Sequence, residues 1–184
     1  MHPVFLHFYP DDTPLRQLLL KHSTQVMEKA LAILDAPNCP KLPIDRQLVI
    51  DGALLHDIGI GQCHAPKIKC NGTRPYIAHG IIGAEMLRKE FPEMEACARI
   101  CERHTGSGIT AEQIRQRNLP LPIQDFLPET LEEKLVCLAD KFFSKSGDML
   151  EEPIDAIRRE LAFFGADSLQ RFDDYCKIFN LQPT

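Results

Sequence analysis

Residues 54–61 read LLHDIGIG, and they place a histidine and an aspartate side by side at the end of an apolar run. The apolar residues before the pair recur at helical spacing, which predicts a helix from about Ile44 to Asp57. The two glycines of the motif follow and end this helix. Because the helix is strongly apolar, we expect His56 and Asp57 to point inward. A buried carboxylate then needs an ionic partner or a metal.

Four further residues of metal-binding type lie in other predicted helices. Each is in register with apolar neighbours, so all are expected to face the core with His56 and Asp57. They are His22, His79, His104 and Asp140. A single histidine on an apolar face is usually an ordinary core residue, but six inward ligand types on five helices are hard to satisfy by hydrogen bonds alone. Imidazole and carboxylate ligands suit iron, manganese, zinc, cobalt or nickel.

The rest of the pattern is helical almost throughout. Thr13-Pro14 is typical of a helix start, and capping boxes begin at Thr110 and Thr130. No convincing two-residue alternation indicates a strand. We predict an all-α fold with one domain over residues 1–184, built as a helical bundle of six to eight helices. The predicted helices cover about residues 14–36, 44–57, 76–91 and 92–104, two that begin near 110 and 130, and two within 151–179.

The composition limits the classes of function. The 184 residues are 44% apolar, enough for one domain with a substantial core. A net charge of −5 argues against the broad basic face that duplex nucleic acid requires. The N-terminal segment lacks the basic region of a signal peptide, and no stretch of about 18 apolar residues predicts a membrane span. We therefore expect a cytoplasmic protein that binds neither membrane nor nucleic-acid duplex.

The seven cysteines are odd in number and scattered. This usage indicates reduced thiols in a reducing compartment. Cys97 and Cys101 precede His104 at a spacing that could imitate part of a zinc site. No second cysteine pair at zinc-finger spacing completes it, and cysteine is commonly a small core residue.

With these residues in place, the chain resembles the HD-domain metal-dependent phosphohydrolase superfamily, in its small HDIG-type branch. The superfamily pattern H…HD…D is carried here by His22, His56-Asp57 and Asp140. The segments AHGIIGAEML, RHTGSGIT and LPETLEEKLVCLADKF also resemble the corresponding segments of small HDIG proteins. The resemblance covers about residues 15–146, and the C-terminal helices within 151–179 are expected to pack on this part.

The resemblance implies a site for two divalent metals, with iron or manganese favoured and zinc, cobalt or nickel also suitable. His22, His56, Asp57 and Asp140 would hold one metal, and His79, His104 and a bridging Asp57 the other. The symmetrical dinucleoside tetraphosphate hydrolases of the superfamily have a similar ligand order. The implied activity is hydrolysis of a nucleotide or another small phosphate ester or anhydride, with His56 and Asp57 as catalytic residues.

One position departs from the pattern, because many HDIG proteins have Lys or Arg directly after the glycine, where Ile60 stands here. A phosphate-contacting cation at that place is therefore missing. Arg103 and Lys141, which lie beside predicted ligands, are candidates to replace it, as are three cations of the following loop: Lys67, Lys69 and Arg74. Each of the five is more simply read as a solvated surface residue.

Two other functions use the same ligand types. The superfamily includes di-iron oxygenases with a very similar ligand set, and only the substrate pocket distinguishes them. A non-catalytic nucleotide or metal sensor is the second alternative, although a binding module has no need of six retained ligands. Phenylalanines of the C-terminal part would either cover the metal helices or form a homodimer contact.

Overall fold

The computed structural model describes residues 1–181. Within that range it has nine α-helices and one short hairpin, which confirms the predicted all-α class. Eight helices correspond to predicted ones, and the additional helix of six residues at the N-terminus is too short to show a period. None of the helices in this range is long and apolar enough to cross a membrane. The helices are α1 (Pro3–Phe8), α2 (Pro14–Asp35), α3 (Arg46–Leu55), α4 (His79–Glu90), α5 (Glu95–Arg103), α6 (Ala111–Gln116), α7 (Leu131–Asp140), α8 (Ile154–Phe164) and α9 (Ala166–Ile178).

The helix that leads into the HDIG motif is shorter than predicted. It begins at Arg46 because the Asp45 carboxylate accepts hydrogen bonds from two backbone N–H groups of the first turn, at 2.9 and 3.1 Å. It ends at Leu55, so His56 and Asp57 lie just beyond α3 rather than inside it. A five-residue 3₁₀ turn follows the pair. The two side chains therefore stand where the chain changes direction.

The segment predicted as a loop, residues 60–75, contains a minimal antiparallel hairpin. Its strands are β1 (His64–Ala65) and β2 (Cys70–Asn71). Strands of two residues are too short to show alternation, so the sequence pattern does not reveal them. The buried thiol of Cys70 donates to the backbone carbonyl of Ile60 at 2.7 Å. The hairpin is thereby attached to the turn that follows the motif.

Two apolar clusters form the core, and α2 contributes to both. One contains Val26 and packs the middle of α2 against α3, α7, α8 and α9. The other contains Leu19 and packs the start of α2 against α1, α4 and α5. His22 lies between these two residues, about one helical turn from each. The polar residues of the HDIG region therefore sit where the two apolar clusters meet.

Close helix packing explains the first glycine of the motif. A Cβ atom at Gly59 would collide with the backbone of α4 at His79 and Gly83. Gly80 lies equally close to the carbonyl of Cys101 in α5, where a Cβ would also collide. Only glycine permits such an approach between backbones. These close contacts at Gly59 and Gly80 bring the start of α4 next to the turn after the motif and next to α5.

Candidate metal centre

The six predicted ligands lie close together inside the protein and form one cluster. His22 comes from the middle of α2, and His56 and Asp57 come from the segment directly after α3. The other three lie at the first residue of α4, just after α5 and at the last residue of α7, and they are His79, His104 and Asp140. Their ligand atoms form two groups that share Asp57, and within each group all atoms lie within 4.8 Å of one another.

The first group contains two imidazoles and two carboxylates. Nε2 of His22 lies 2.9 Å from Oδ1 of Asp140 and 3.3 Å from Oδ2 of Asp57. Nε2 of His56 lies 3.1 Å from Oδ2 of Asp57 and 3.4 Å from Oδ1 of Asp140. One oxygen of each carboxylate and one nitrogen of each ring therefore face a common centre.

The second group uses the other oxygen of the same aspartate. Oδ1 of Asp57 lies 3.4 Å from Nε2 of His79 and 3.5 Å from Nε2 of His104. The two Nε2 atoms of these histidines are 3.0 Å apart. Asp57 thus directs one oxygen to each of the two groups.

Three histidines present Nε2 to the cluster because their Nδ1 is already engaged. His56, His79 and His104 each donate from Nδ1 to the backbone carbonyl three residues earlier, at 2.7 Å in every case. A carbonyl only accepts, so the proton of the neutral ring is on Nδ1, and Nε2 offers a lone pair. The contact between His79 and His104 then joins two acceptors without a donor. A metal ion removes this conflict, and such backbone contacts are typical of metal ligands.

Buried atoms without hydrogen bonds give the same indication. Oδ1 of Asp57 and Nε2 of His56 are buried and make no hydrogen bond, and Oδ2 of Asp57 makes none apart from its ion pair with Lys145. Leaving such groups unsatisfied costs about 1–3 kcal/mol each, and more for charged groups. Coordination would satisfy all three atoms. The buried His/Asp cluster therefore fits divalent metal binding.

Lys145 also lies in the cluster, although none of the motifs includes it. Its Nζ lies 2.8 Å from Oδ2 of Asp57 and 3.6 Å from Oδ1 of Asp140. The side chain is only 11% exposed. The residue lies in an irregular segment five residues after Asp140, where no periodicity predicts its direction. Its proximity to Asp140 in the sequence is the one signal that points to it.

The electrostatics favour the ligand forms of most of these groups. Burial raises the pKa of Asp57, but His56 and Lys145 outweigh burial and hold that pKa well below its usual range. Burial and the neighbouring His104 lower the pKa of His79 to about 3, so its ring is neutral. Burial also lowers the pKa of His56, yet the adjacent carboxylates outweigh it and raise that pKa to about 9. A metal at His56 must therefore displace a proton near neutral pH.

The other candidate cations lie at different places. Lys141 lines the cavity above the cluster, with its Nζ 3.4 Å from a carboxylate oxygen of Glu160. Arg103 instead donates to the backbone carbonyl of Leu127 at 2.7 Å and pairs with Glu129 at 3.1 Å. The structure therefore brings Lys141 to the cavity and directs Arg103 away from it. The three loop cations are exposed in and around the hairpin: Lys67, Lys69 and Arg74.

The cysteines take no part in either ligand group. All seven are free thiols, and six of them are buried. Cys101 donates to the backbone carbonyl of Leu55 at 3.3 Å. Within residues 1–181 neither group of metal-ligand type contains a cysteine. The spacing of Cys97, Cys101 and His104 therefore reflects helix packing around α5.

A tyrosine from the N-terminal segment fixes the turn that follows the motif. The hydroxyl of Tyr9 donates to the carbonyl of Ile58 at 2.6 Å and accepts from the N–H of Gly61 at 2.9 Å. These two bonds close the 3₁₀ turn that begins directly after Asp57. Tyr9 is therefore placed to hold the bridging aspartate in position, although it does not contact the cluster.

Replacing Tyr9 with phenylalanine is expected to loosen this turn. The variant leaves the N–H of Gly61 and the carbonyl of Ile58 without their partner, so the free energy of unfolding should fall by about 1–2 kcal/mol. Metal affinity should fall by about tenfold, because groups that orient ligands contribute on that scale. Chemical denaturation and metal titration measure the two effects. Tyr175→Phe, which removes a 3.3 Å bond to the carbonyl of Ser107, should change stability alone; equal loss of metal affinity there would contradict the assignment.

The fold and the cluster together define an all-α protein with a buried His/Asp cluster that fits divalent metal binding. The family model described as HD domain matches residues 19–144, a range that includes all six predicted ligands. The chain therefore belongs to the HD domain family, which confirms the family expected from the motifs.

Curated relatives share the same part of the chain. A segment of 127 residues, 69% of this chain, is 42% identical to a tRNA (cytidine(56)-2'-O)-methyltransferase of Picrophilus torridus and covers 32% of that protein. A segment of 122 residues, 66% of this chain, is 41% identical to a Methanocaldococcus jannaschii protein described as uncharacterized and covers 64% of it. The chain thus spans about a third of the methyltransferase. The name of that larger protein does not assign an activity to the shared segment.

A solved structure supports the fold. The HD domain of the L. monocytogenes phosphodiesterase PgpH, in complex with cyclic-di-AMP, superposes with a TM-score of 0.52 over all of both chains. The two sequences are 16% identical. At that identity the likeness concerns the helical architecture.

Proposed function

We propose that this protein is a metal-dependent phosphohydrolase that acts on a nucleotide or another small phosphate ester or anhydride. The observation that carries the proposal is the Asp57 carboxylate, which directs one oxygen to each of two groups of metal-ligand type. Two-metal sites of this kind are common in enzymes that displace groups at phosphorus. The family membership of the chain supports the same class of reaction.

The cavity above the cluster supports a small phosphorylated substrate. It has a volume of about 410 Å³ and is open to solvent. Its lining includes His79, His104 and Asp140 from the two groups, with the cations Lys141 and Lys145 beside them. Pockets of this size bind small molecules. The lining also includes the carboxylates of Glu152 and Glu160, so the positive charge that a phosphate group requires would come from bound metals together with the two lysines.

Each residue has a distinct role in the proposed reaction. When bound, two divalent metals would polarise the phosphoryl group and lower the pKa of a water molecule to near neutrality. Asp57 would hold the spacing between the two groups, with His56 as its neighbour on the first. Lys145, whose Nζ lies at the bridging carboxylate, would stabilise negative charge on the phosphoryl oxygens. Lys141 would contact the part of the substrate nearer to solvent.

Metal analysis and phosphate release test the proposal together. The protein is purified without chelator, its metal content is measured, and phosphate release is followed across nucleotides and simple phosphate esters. We expect about two iron or manganese ions per chain and release from at least one class of ester. A folded His56→Ala variant should lose this activity.

The alternatives predict different results in the same experiment. Two iron ions without phosphate release, together with oxygen-dependent turnover of another substrate, would identify an oxygenase. Tight nucleotide binding without turnover under any metal would identify a sensor. A folded His56→Ala protein as active as the wild type would contradict the proposed site altogether.

Removing one histidine of the second group is expected to leave a single metal. Among the carboxylates of the cluster, His104 contacts only Oδ1 of Asp57. His104→Ala therefore leaves all four predicted ligands of the first group in place. Metal content should fall from about two ions to about one per chain, since two remaining ligands hold a metal weakly. Elemental analysis after gel filtration measures the change. His64→Ala, which alters an exposed histidine of β1, serves as the control, and an unchanged metal content in His104→Ala would exclude a second site there.

A further inference from the structure

A second cavity adjoins the one above the metal ligands. Its volume is about 320 Å³. Five residues line both cavities and define the shared region between them, here called the passage: Tyr76, Thr105, Gly106, Lys141 and Glu160. A molecule that extends from the metal cluster can therefore reach the second cavity without leaving the protein surface.

The second cavity differs from the first in chemistry. Its walls are mainly apolar, with Ile109, Leu119, Leu161 and Phe164 among the lining side chains. Tyr76 and Phe164 add aromatic surface, which favours a planar ring through stacking. The first cavity, in contrast, has more polar than apolar lining, with predicted ligands, two lysines and the carboxylates of Glu152 and Glu160. The two cavities thus suit the two ends of a molecule that is charged at one end and planar at the other.

Three polar side chains of the second cavity, those of Gln113, Arg117 and Ser168, are already engaged. Gln113 donates to the hydroxyl of Ser168 at 2.9 Å and accepts from the N–H of Thr110 at 3.0 Å. Arg117 donates to the carbonyl of Phe164 at 2.8 Å and lies over its ring at 5.2 Å. The cavity therefore offers a ring mainly apolar surface, and the hydroxyls of Tyr76 and Thr105 lie on the side that it shares with the first cavity.

The passage carries the groups that would join the two ends. The ring of Tyr76 stacks on that of His79 at 4.9 Å, with an interplanar angle of 24°. Lys141 also lines both cavities and pairs with Glu160 at 3.4 Å. A cation in the passage is suitably placed to contact a phosphate or a sugar between the metal cluster and the apolar cavity.

Part of the wall comes from residues outside the family match. Glu160, Leu161 and Phe164 lie in α8 and Ser168 lies in α9, beyond residue 144 where the HD match ends. The metal ligands all lie inside the match. The C-terminal helices of this chain therefore shape the part of the cleft that would select the organic group.

We propose that the second cavity binds the nucleobase of a nucleoside monophosphate whose phosphate lies over the metal cluster. The proposal rests on the proposed phosphohydrolase function for the position of the phosphate, and it adds the class of substrate. Because the walls are mainly apolar and Gln113, Arg117 and Ser168 are engaged, the cavity distinguishes esters with a ring from esters without one, and it discriminates weakly among bases.

Filling the cavity tests the proposal through substrate preference. Ile109→Trp places a large side chain into the cavity, and Phe164→Ala removes an aromatic wall. Phe163→Ala is the control, because the side chain of Phe163 is 81% exposed and does not line the cavity. For AMP and CMP, we expect KM to rise by at least about tenfold in Ile109→Trp and less in Phe164→Ala. KM for glycerol 3-phosphate should stay unchanged in both, and Phe163→Ala should behave as wild type. An equal rise for glycerol 3-phosphate, or no change for AMP, would overturn the proposal.

A binding measurement separates failure of the cavity from failure of the hydrolase assignment. Saturation-transfer NMR with adenosine, which has no phosphate, reports ring contact in the metal-loaded protein whether or not any ester is hydrolysed. We expect ring-proton signals in the wild type and in Phe163→Ala, and their loss in Ile109→Trp. A missing signal in the wild type would overturn the cavity proposal even if phosphate esters are hydrolysed. A signal without hydrolysis would support the cavity and contradict the phosphohydrolase.

Discussion

The Asp57→Asn variant is expected to lose both metals and to hydrolyse phosphate esters about a thousandfold more slowly than the wild type. The side chain contributes one oxygen to each ligand group, at 3.1 Å from Nε2 of His56 and 3.4 Å from Nε2 of His79. An amide keeps the size of the side chain but loses the negative charge, and one of its two ends becomes a donor. Metal ions contribute several kcal/mol to such reactions, and about 4 kcal/mol corresponds to a thousandfold change in rate.

The matched control is Asp51→Asn, which alters a carboxylate on α3 that pairs with Gln47 instead of the cluster. Elemental analysis, circular dichroism and phosphate release are measured on both variants and on the wild type. Asp51→Asn should keep its metals and its activity. If Asp57→Asn stays folded and keeps about two ions per chain, the bridging role is wrong. If it keeps one ion, Asp57 serves a single group.

The sequence predicts the ligand set because the ligands lie at regular positions. Most of the six lie in or beside an amphipathic helix, where apolar neighbours at three- and four-residue spacing indicate the inward face. His22, between Leu19 and Val26, is the clearest example, since all three are fully buried. The assignment of the ligands to two groups follows from the family resemblance and not from periodicity. The spacing of residues along one helix does not show which residues of another helix they contact.

The cation near the phosphate is not predictable in the same way. The family pattern directs attention to position 60, but Ile60 is fully buried in the second apolar cluster and does not line the cavity. Lys145 reaches the cluster from an irregular segment after α7, where the direction of a side chain depends on tertiary packing. The contact of Tyr9 with the motif turn has the same origin, because only the folded structure brings α1 next to residues 58–61.

Lys145→Met is expected to lower kcat by about 10²–10³, the cost of removing one group that stabilises transition-state charge. Methionine is similar in length and suits the partly buried position, so folding should be kept. The metal content should not fall, because the variant removes a positive charge that lies 2.8 Å from Asp57 and competes with a metal for it. Lys145→Arg should recover part of the activity, since the charge returns with a different shape.

Lys141→Met provides the comparison, because Lys141 lines the same cavity but pairs with Glu160 and not with the cluster carboxylates. We expect it to raise KM for AMP with a smaller change in kcat. The contrasting result for Lys145→Met would be tighter metal binding with unchanged kcat. Lys145 would then merely balance the charge of Asp57 and Asp140 in the metal-free protein, and the phosphoryl group would have to be stabilised by the metals and Lys141 alone.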